Sequence, residues 1–132
     1  MTALVVVVLV GIAGCGQSER PKTIPITGRV TIDGQPPGEG GKIYFTPVQA
    51  AEGYSRRPAR GSFVSSDGSY RVMSWEVDDG LVPGSYLVSV TSNTPEKTAI
   101  PARYNQGSTS GLTLDVPPDQ GRIEYNIDIV TK

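Results

Sequence analysis

Three Asp-Gly steps, at 33–34, 67–68 and 79–80, divide this chain into pieces too short for helices. Glycine after aspartate suits a hairpin turn that needs positive φ, where a Cβ would be costly. Pro83-Gly84 is a turn of another kind, with Pro83 presetting φ at one corner and Gly84 suiting the next. With 16 glycines and 11 prolines in 132 residues, a helical fold would be broken throughout. Short strands joined by tight turns require this punctuation.

Between the turns, apolar residues recur at every second position, the period of a half-buried strand. Ile26, Gly28, Val30 and Ile32 alternate with Thr27, Arg29 and Thr31. Ile43 and Phe45 follow the same rule before Pro47 ends the ladder. Two strands, Ala59 to Ser65 and Ser69 to Trp75, flank Asp67-Gly68 as a hairpin. Tyr86, Val88 and Val90 define a further strand, Leu112, Leu114 and Val116 another. In the last strand Ile123, Tyr125, Ile127 and Ile129 point one way and Glu124, Asn126 and Asp128 the other. Val48 to Pro58 and Ser92 to Ser110 lack alternation and read as surface loops. Seven strands and no amphipathic helix predict an all-β domain, a seven-stranded antiparallel two-sheet sandwich of immunoglobulin-like architecture. Tyr70, Tyr86 and Tyr125 fall on the apolar phase, so each is expected at the core rim with its hydroxyl reaching a sheet edge or backbone carbonyl.

The N-terminal residues have a different character. An uncharged apolar stretch from Ala3 to Ala13 ends in Ile12-Ala13-Gly14-Cys15. Its length fits a signal h-region of roughly 7–15 residues and falls short of the ~20 that a spanning helix needs. No Lys or Arg precedes it, which implies a minimal n-region or an upstream start. A β-strand over Val5 to Val8 is the alternative, but nothing polar interrupts the run and the cysteine stands where a signal should end. Small residues before that cysteine resemble the lipobox of bacterial lipoproteins. The resemblance implies export, removal of residues 1–14 as signal peptide, and acylation of Cys15, with residues 15–24 as lipidated N-terminus and tether and 25–132 as the folded domain. The polar, Pro-broken segment Gly16 to Thr23 suits a tether. Gly16 stands where many Gram-negative inner-membrane lipoproteins carry Asp, so the analogy favours the outer membrane. The protein would then face the periplasm or the cell exterior.

Composition narrows the chemistry. Net charge is −1 with both signs interspersed, which gives no footprint for nucleic acid. There is no histidine, and the single cysteine, Cys15, is assigned to the anchor. Ser-His-Asp and Cys-His catalysis and His- or Cys-based zinc sites are therefore excluded, as are intramolecular disulfides. The expectation is a non-catalytic domain without cofactor or metal. Asp78-Asp79 with Glu76 nearby offers oxygen ligands for calcium, yet lacks EF-hand spacing; acidic pairs in turns are usually only solvated. Trp75 beside Glu76 and Asp78, Tyr54 with Arg56 and Arg57, and Tyr104 with Arg103 place aromatics next to polar groups. Such pairs are candidate ligand contacts of the sugar-stacking kind; the plainer reading has Trp75 covering an end of the sandwich and the arginines solvated.

The order of these segments is itself informative. Thr27-Gly28-Arg29-Val30, Asp33-Gly34-Gln35-Pro36, Ile43-Tyr44-Phe45-Thr46-Pro47, Asp67-Gly68-Ser69-Tyr70, Leu81-Val82-Pro83-Gly84-Ser85-Tyr86-Leu87-Val88, Ile100-Pro101-Ala102-Arg103-Tyr104 and Ser110-Gly111-Leu112-Thr113 together resemble small planctomycete lipoproteins with a carboxypeptidase regulatory-like, or transthyretin-like, domain. That resemblance implies a prealbumin-like sandwich and no catalytic machinery. Two functions of different class follow as expectations: a lipid-anchored envelope protein with a structural or protein-interaction role, and an envelope-displayed carbohydrate-binding module.

Overall fold

The structure is a computed structural model that describes residues 20–49 and 57–132. Among these residues the chain is all-β. Its strands are β1 (Ile26–Ile32), β2 (Gly41–Pro47), β3 (Ala59–Phe63), β4 (Ser69–Met73), β5 (Gly84–Ser92), β6 (Leu112–Val116), β7 (Ile123–Glu124) and β8 (Ile127–Ile129). Hydrogen bonds join them into one sheet in the order β6-β5-β2-β3-β4-β1-β7, with β8 beside the second half of β1. The inward phases of β1, β2, β4, β5 and β8 meet in a single core, with Ile43, Phe45, Val72, Val88 and Ile129 all fully buried. Ile24 belongs to that core as well, at 1% exposure, and exchanges backbone hydrogen bonds with Leu81.

The turns obey the Asp-Gly rule. Gly34, Gly68 and Gly80 have φ of +80°, +74° and +93°. Gly68 answers two demands, because a Cβ there would lie 1.9 Å from the Val30 carbonyl oxygen, whose residue also donates its N–H to the Gly68 carbonyl at 2.8 Å. The β3–β4 hairpin is thereby seated on β1.

Two features depart from the sequence reading. The C-terminal strand is not antiparallel: β7 and β8 both run parallel to β1, Ile26 matching Ile123 and Val30 matching Ile127. Alternation reports which face a residue occupies and nothing about strand direction. The strand is also divided. At the break, Tyr125 N–H donates to the Thr27 carbonyl at 2.8 Å, while the Asn126 side-chain oxygen replaces a backbone acceptor for Arg29 N–H at 3.0 Å. One expected strand thus becomes two.

The ends of the pairing path approach each other. Only residues 117–122 separate β6 from β7, and such a link spans at most about 25 Å. The Tyr125 hydroxyl, 3.2 Å from the Thr113 carbonyl oxygen, bridges the gap. The sheet is curled nearly into a barrel, and a side chain makes the contact where a ladder would close it.

Between β5 and β6 lie 3₁₀ turns at Pro95–Lys97 and Ala102–Asn105 and a single α turn, α1 (Gly107–Ser110). Each is one turn, too short to leave a helical period in the sequence. They are fastened from outside. Glu39 accepts hydrogen bonds from the Thr98 hydroxyl and from Ala99 N–H at 2.9 Å, and the Ser110 hydroxyl donates to the Val88 carbonyl.

Candidate functional site

The loop from Ser74 to Gly80 is organised by one carboxylate. Asp79 accepts the N–H groups of Ser74, Trp75 and Glu76 at 2.7, 3.0 and 3.1 Å, and the Ser74 hydroxyl donates to the Gly80 carbonyl at 2.6 Å. Three backbone donors that would otherwise need water converge on one side chain, which fixes the loop beyond the end of β4. Trp75 is held half-buried as a result.

Beside it opens a cleft of about 180 Å³ whose walls include Pro47, Pro58, Trp75, Val82, Pro83 and Tyr86. Val82 and Tyr86 flank the Pro83-Gly84 turn, and the Tyr86 hydroxyl donates back to the Val82 carbonyl at 2.5 Å. Arg57 stands exposed at the rim. The Arg20 guanidinium lies 5.8 Å from the Trp75 ring centroid and pairs with Glu76 at 3.4 Å. A ring, prolines and a nearby guanidinium form a surface on which a planar or sugar-like group can rest.

Of the residues singled out from the sequence, Trp75 and Arg57 are brought together at this cleft. Tyr104 is not. It is buried at 5% exposure, accepts the Val130 N–H at 3.0 Å on its hydroxyl, and has Arg103 stacked 4.6 Å from its ring. It is a framework residue fixing the C-terminus, because an aromatic beside arginine in a loop packs inward when a strand end leaves a carbonyl and an N–H to satisfy. Cys15, Tyr54, Arg56 and the signal segment lie outside the described residues.

The acidic pair does not form an oxygen cage. Asp79 is turned onto three N–H groups, while Asp78, at φ +61°, pairs with Arg71 at 3.1 Å. Among the described residues no three acidic groups come together as a metal-ligand set.

A second concavity, of about 720 Å³, lies on the outward face of β3, β4 and β1 and holds Arg29, Arg60, Arg71 and Arg122. Arg29, Arg60 and Arg71 occupy polar phases of different strands, and Arg122 directly precedes β7. Their common signal was that phase; their proximity depends on a register that no local pattern supplies. Comparison with known proteins gives no match to this chain, whether by family model, curated protein or solved structure.

Proposed function

We propose that this protein is a non-catalytic β-domain anchored to the cell envelope by lipid at Cys15, with a structural or protein-interaction role. The observation that carries this reading is the exit point of the tether. Arg20, five residues after Cys15, rests on Trp75 and Glu76, so an anchor at Cys15 would lie within about 18 Å of Arg20. A short polar stalk leaving a folded domain suits a surface-held module. The chemistry of the described carboxylates supports it too: Asp33, Asp79 and Asp128 are engaged by backbone or hydroxyl donors, which is framework work.

Within this reading the curled sheet is a prealbumin-like sandwich. Its support is that Phe45 on β2 meets Tyr70 on β4 and Tyr125 beside β7 across the core, with ring centroids 6.4 and 6.3 Å apart. The β3–β4 ladder, with register pairs only at Arg60–Met73 and Gly61–Val72, is then the crossing between two layers.

Metabolic labelling with an alkyne fatty acid tests the anchor: label on the native chain and none on Cys15→Ala is expected, and undiminished label on the variant overturns it. The Trp75 cleft favours a second reading, a carbohydrate-binding module. Quenching of Trp75 fluorescence by a soluble neutral sugar supports that function, and indifference to a broad glycan panel removes it.

A further inference from the structure

We propose that the outward face of β3, β4 and β1 is a binding site for an acidic polysaccharide, one bearing carboxylate or sulfate groups. The arrangement follows from register. Arg71 on β4 lies opposite Thr27 on β1, and Ser69 lies opposite Arg29. Met73 on β4 lies opposite Arg60 on β3. Arg60, Arg71 and Arg29 therefore run diagonally across three adjacent strands. One strand sideways and two residues along give Cα spacings of about 8 Å. All three are exposed on the same face and line one groove, whose lining also includes Arg122.

Their charges are incompletely neutralised within the chain. Arg71 pairs with Asp78, Asp67 lies near Arg29, and Glu124, opposite Thr27, also lines the groove, which leaves the four guanidiniums in excess over these carboxylates. Among the described residues no ion pair engages Arg60 or Arg122. Guanidiniums present planar donor forks that match carboxylate and sulfate oxygens. Between them, Thr27, Ser62 and Ser69 supply hydroxyls that exchange hydrogen bonds with sugar hydroxyls.

The same face disfavours other polyanions. β3 lies between β2 and β4, β4 between β3 and β1, and β1 between β4 and the β7–β8 pair, so an acidic peptide finds no free strand edge to extend. Single-stranded nucleic acid would need stacking platforms, and the aromatic ring lining the groove, Tyr70, is buried at 4% exposure. A linear anion with repeated charges and many hydroxyls fits what remains. This site is separate from the Trp75 cleft and independent of the anchor at Cys15.

The test uses the full-length chain in mild detergent, immobilised through a C-terminal tag. Heparin, polygalacturonate, neutral dextran, poly-glutamate and single-stranded DNA are the probes. Binding of heparin or polygalacturonate at low salt, with none of dextran, is expected. Arg29→Gln combined with Arg60→Gln should weaken that binding at least tenfold and lower the slope of log affinity against log salt by roughly two, as two fewer counterions are released. Lys97→Gln, on an exposed 3₁₀ turn, should bind like the native chain. Native circular dichroism and melting of the variants show that the loss is local. Absence of binding, an unaffected double variant, or equal affinity for poly-glutamate or single-stranded DNA would each overturn the proposal.

Discussion

Three tyrosine hydroxyls carry much of the internal order of this domain, each on a backbone carbonyl: Tyr70 on Tyr125, Tyr86 on Val82, Tyr125 on Thr113. Each ring fills apolar space while its hydroxyl donates to a backbone carbonyl, that of Tyr125 at the β7–β8 break, of Val82 before β5 and of Thr113 on β6. Gly28 makes the first of these possible, since a Cβ there would sit 1.9 Å from the Tyr125 oxygen and 2.8 Å from the Tyr70 hydroxyl. Tyr70→Phe leaves that carbonyl unpaired and should cost about 1–3 kcal/mol in urea denaturation. Burial raises the pKa of all three, that of Tyr86 to about 12. The unfolded chain releases these protons near pH 10 while the folded chain still holds them, so the unfolded state binds fewer protons there. Stability should therefore fall as pH rises through 10 to 12, with phenolate absorbance and loss of β-structure appearing together. Phenolate formation that precedes unfolding would show the rings to be accessible. Gly68→Val combines a β-branched residue at positive φ with a contact against Val30, and should destabilise by about 3 kcal/mol or more, read as a lower urea midpoint. The tyrosine roles were legible because phase and a polar tip together determine them; the partner carbonyls were not, since curvature and register select them.

At the scale of elements, the loop after β4 shows how a pair of adjacent acids divides its work. Asp79→Ala removes the acceptor of three N–H groups and should cost about 1–3 kcal/mol, with a red shift of Trp75 emission as the loop loosens. Asp78→Asn breaks one exposed pair with Arg71 while keeping a residue type that tolerates φ +61°, and should change stability by less than about 1 kcal/mol. Equal effects of the two would mean that Asp79 is not the organiser. From sequence, Asp78-Asp79-Gly80 announced a turn and offered a calcium alternative. Which carboxylate points inward is decided by φ at Asp78 and by the reach of Asp79, neither of which a dipeptide encodes. Trp75 and Arg57 were each legible as candidate contacts but not as neighbours, which they become because the hairpin pairs Arg60 with Met73 and carries both to one cleft. Tyr104 misled because an aromatic next to arginine reads as exposed until the strand end it caps is known. The arginine diagonal was hidden for a related reason: Arg29, Arg60 and Arg71 each look like an ordinary solvent-facing residue of a separate strand.

For the molecule as a whole, closure is the central fact, and the C-terminal segment makes it. Strand positions and inward phases could be read from alternation, Ile127 and Ile129 included, but the parallel placement of that segment against β1 depends on where the chain crosses after β6. The segment is also latched by acids. Asp33 accepts both the hydroxyl and the N–H of Thr131, and Asp128 accepts Gly34 N–H at 2.9 Å. Hydrogen bonds from Thr131 hold the Asp33 carboxyl below its usual range; at Glu39, desolvation opposes the lowering but donors including Thr98 and Ala99 outweigh it. A carboxyl lowered on folding adds stability above its unfolded pKa of about 4 and withdraws it as pH falls through the folded value. Acid melts should show that loss below pH 4, smaller in Asp33→Asn.

Whether the C-terminal segment truly closes the core is best asked at Ile127. It is 1% exposed, its strand pairs with the half of β1 that β4 does not cover, and its neighbours Val30 and Ile129 are fully buried. Ile127→Ala removes a buried side chain and leaves a cavity that paired strands cannot collapse around, at a cost of about 2–5 kcal/mol. Ile123→Ala, at a half-buried position on β7, should cost less. Both are read as shifts of the urea midpoint at unchanged slope. The melting point of the native chain should be the same with and without EDTA, since Asp79 is committed to the loop backbone and Asp78 to Arg71. A lower melting point in EDTA would return calcium to the Asp78-Asp79 turn. An Ile127→Ala effect no greater than that of Ile123→Ala would mean that the final strand lies on the barrel rather than completing it.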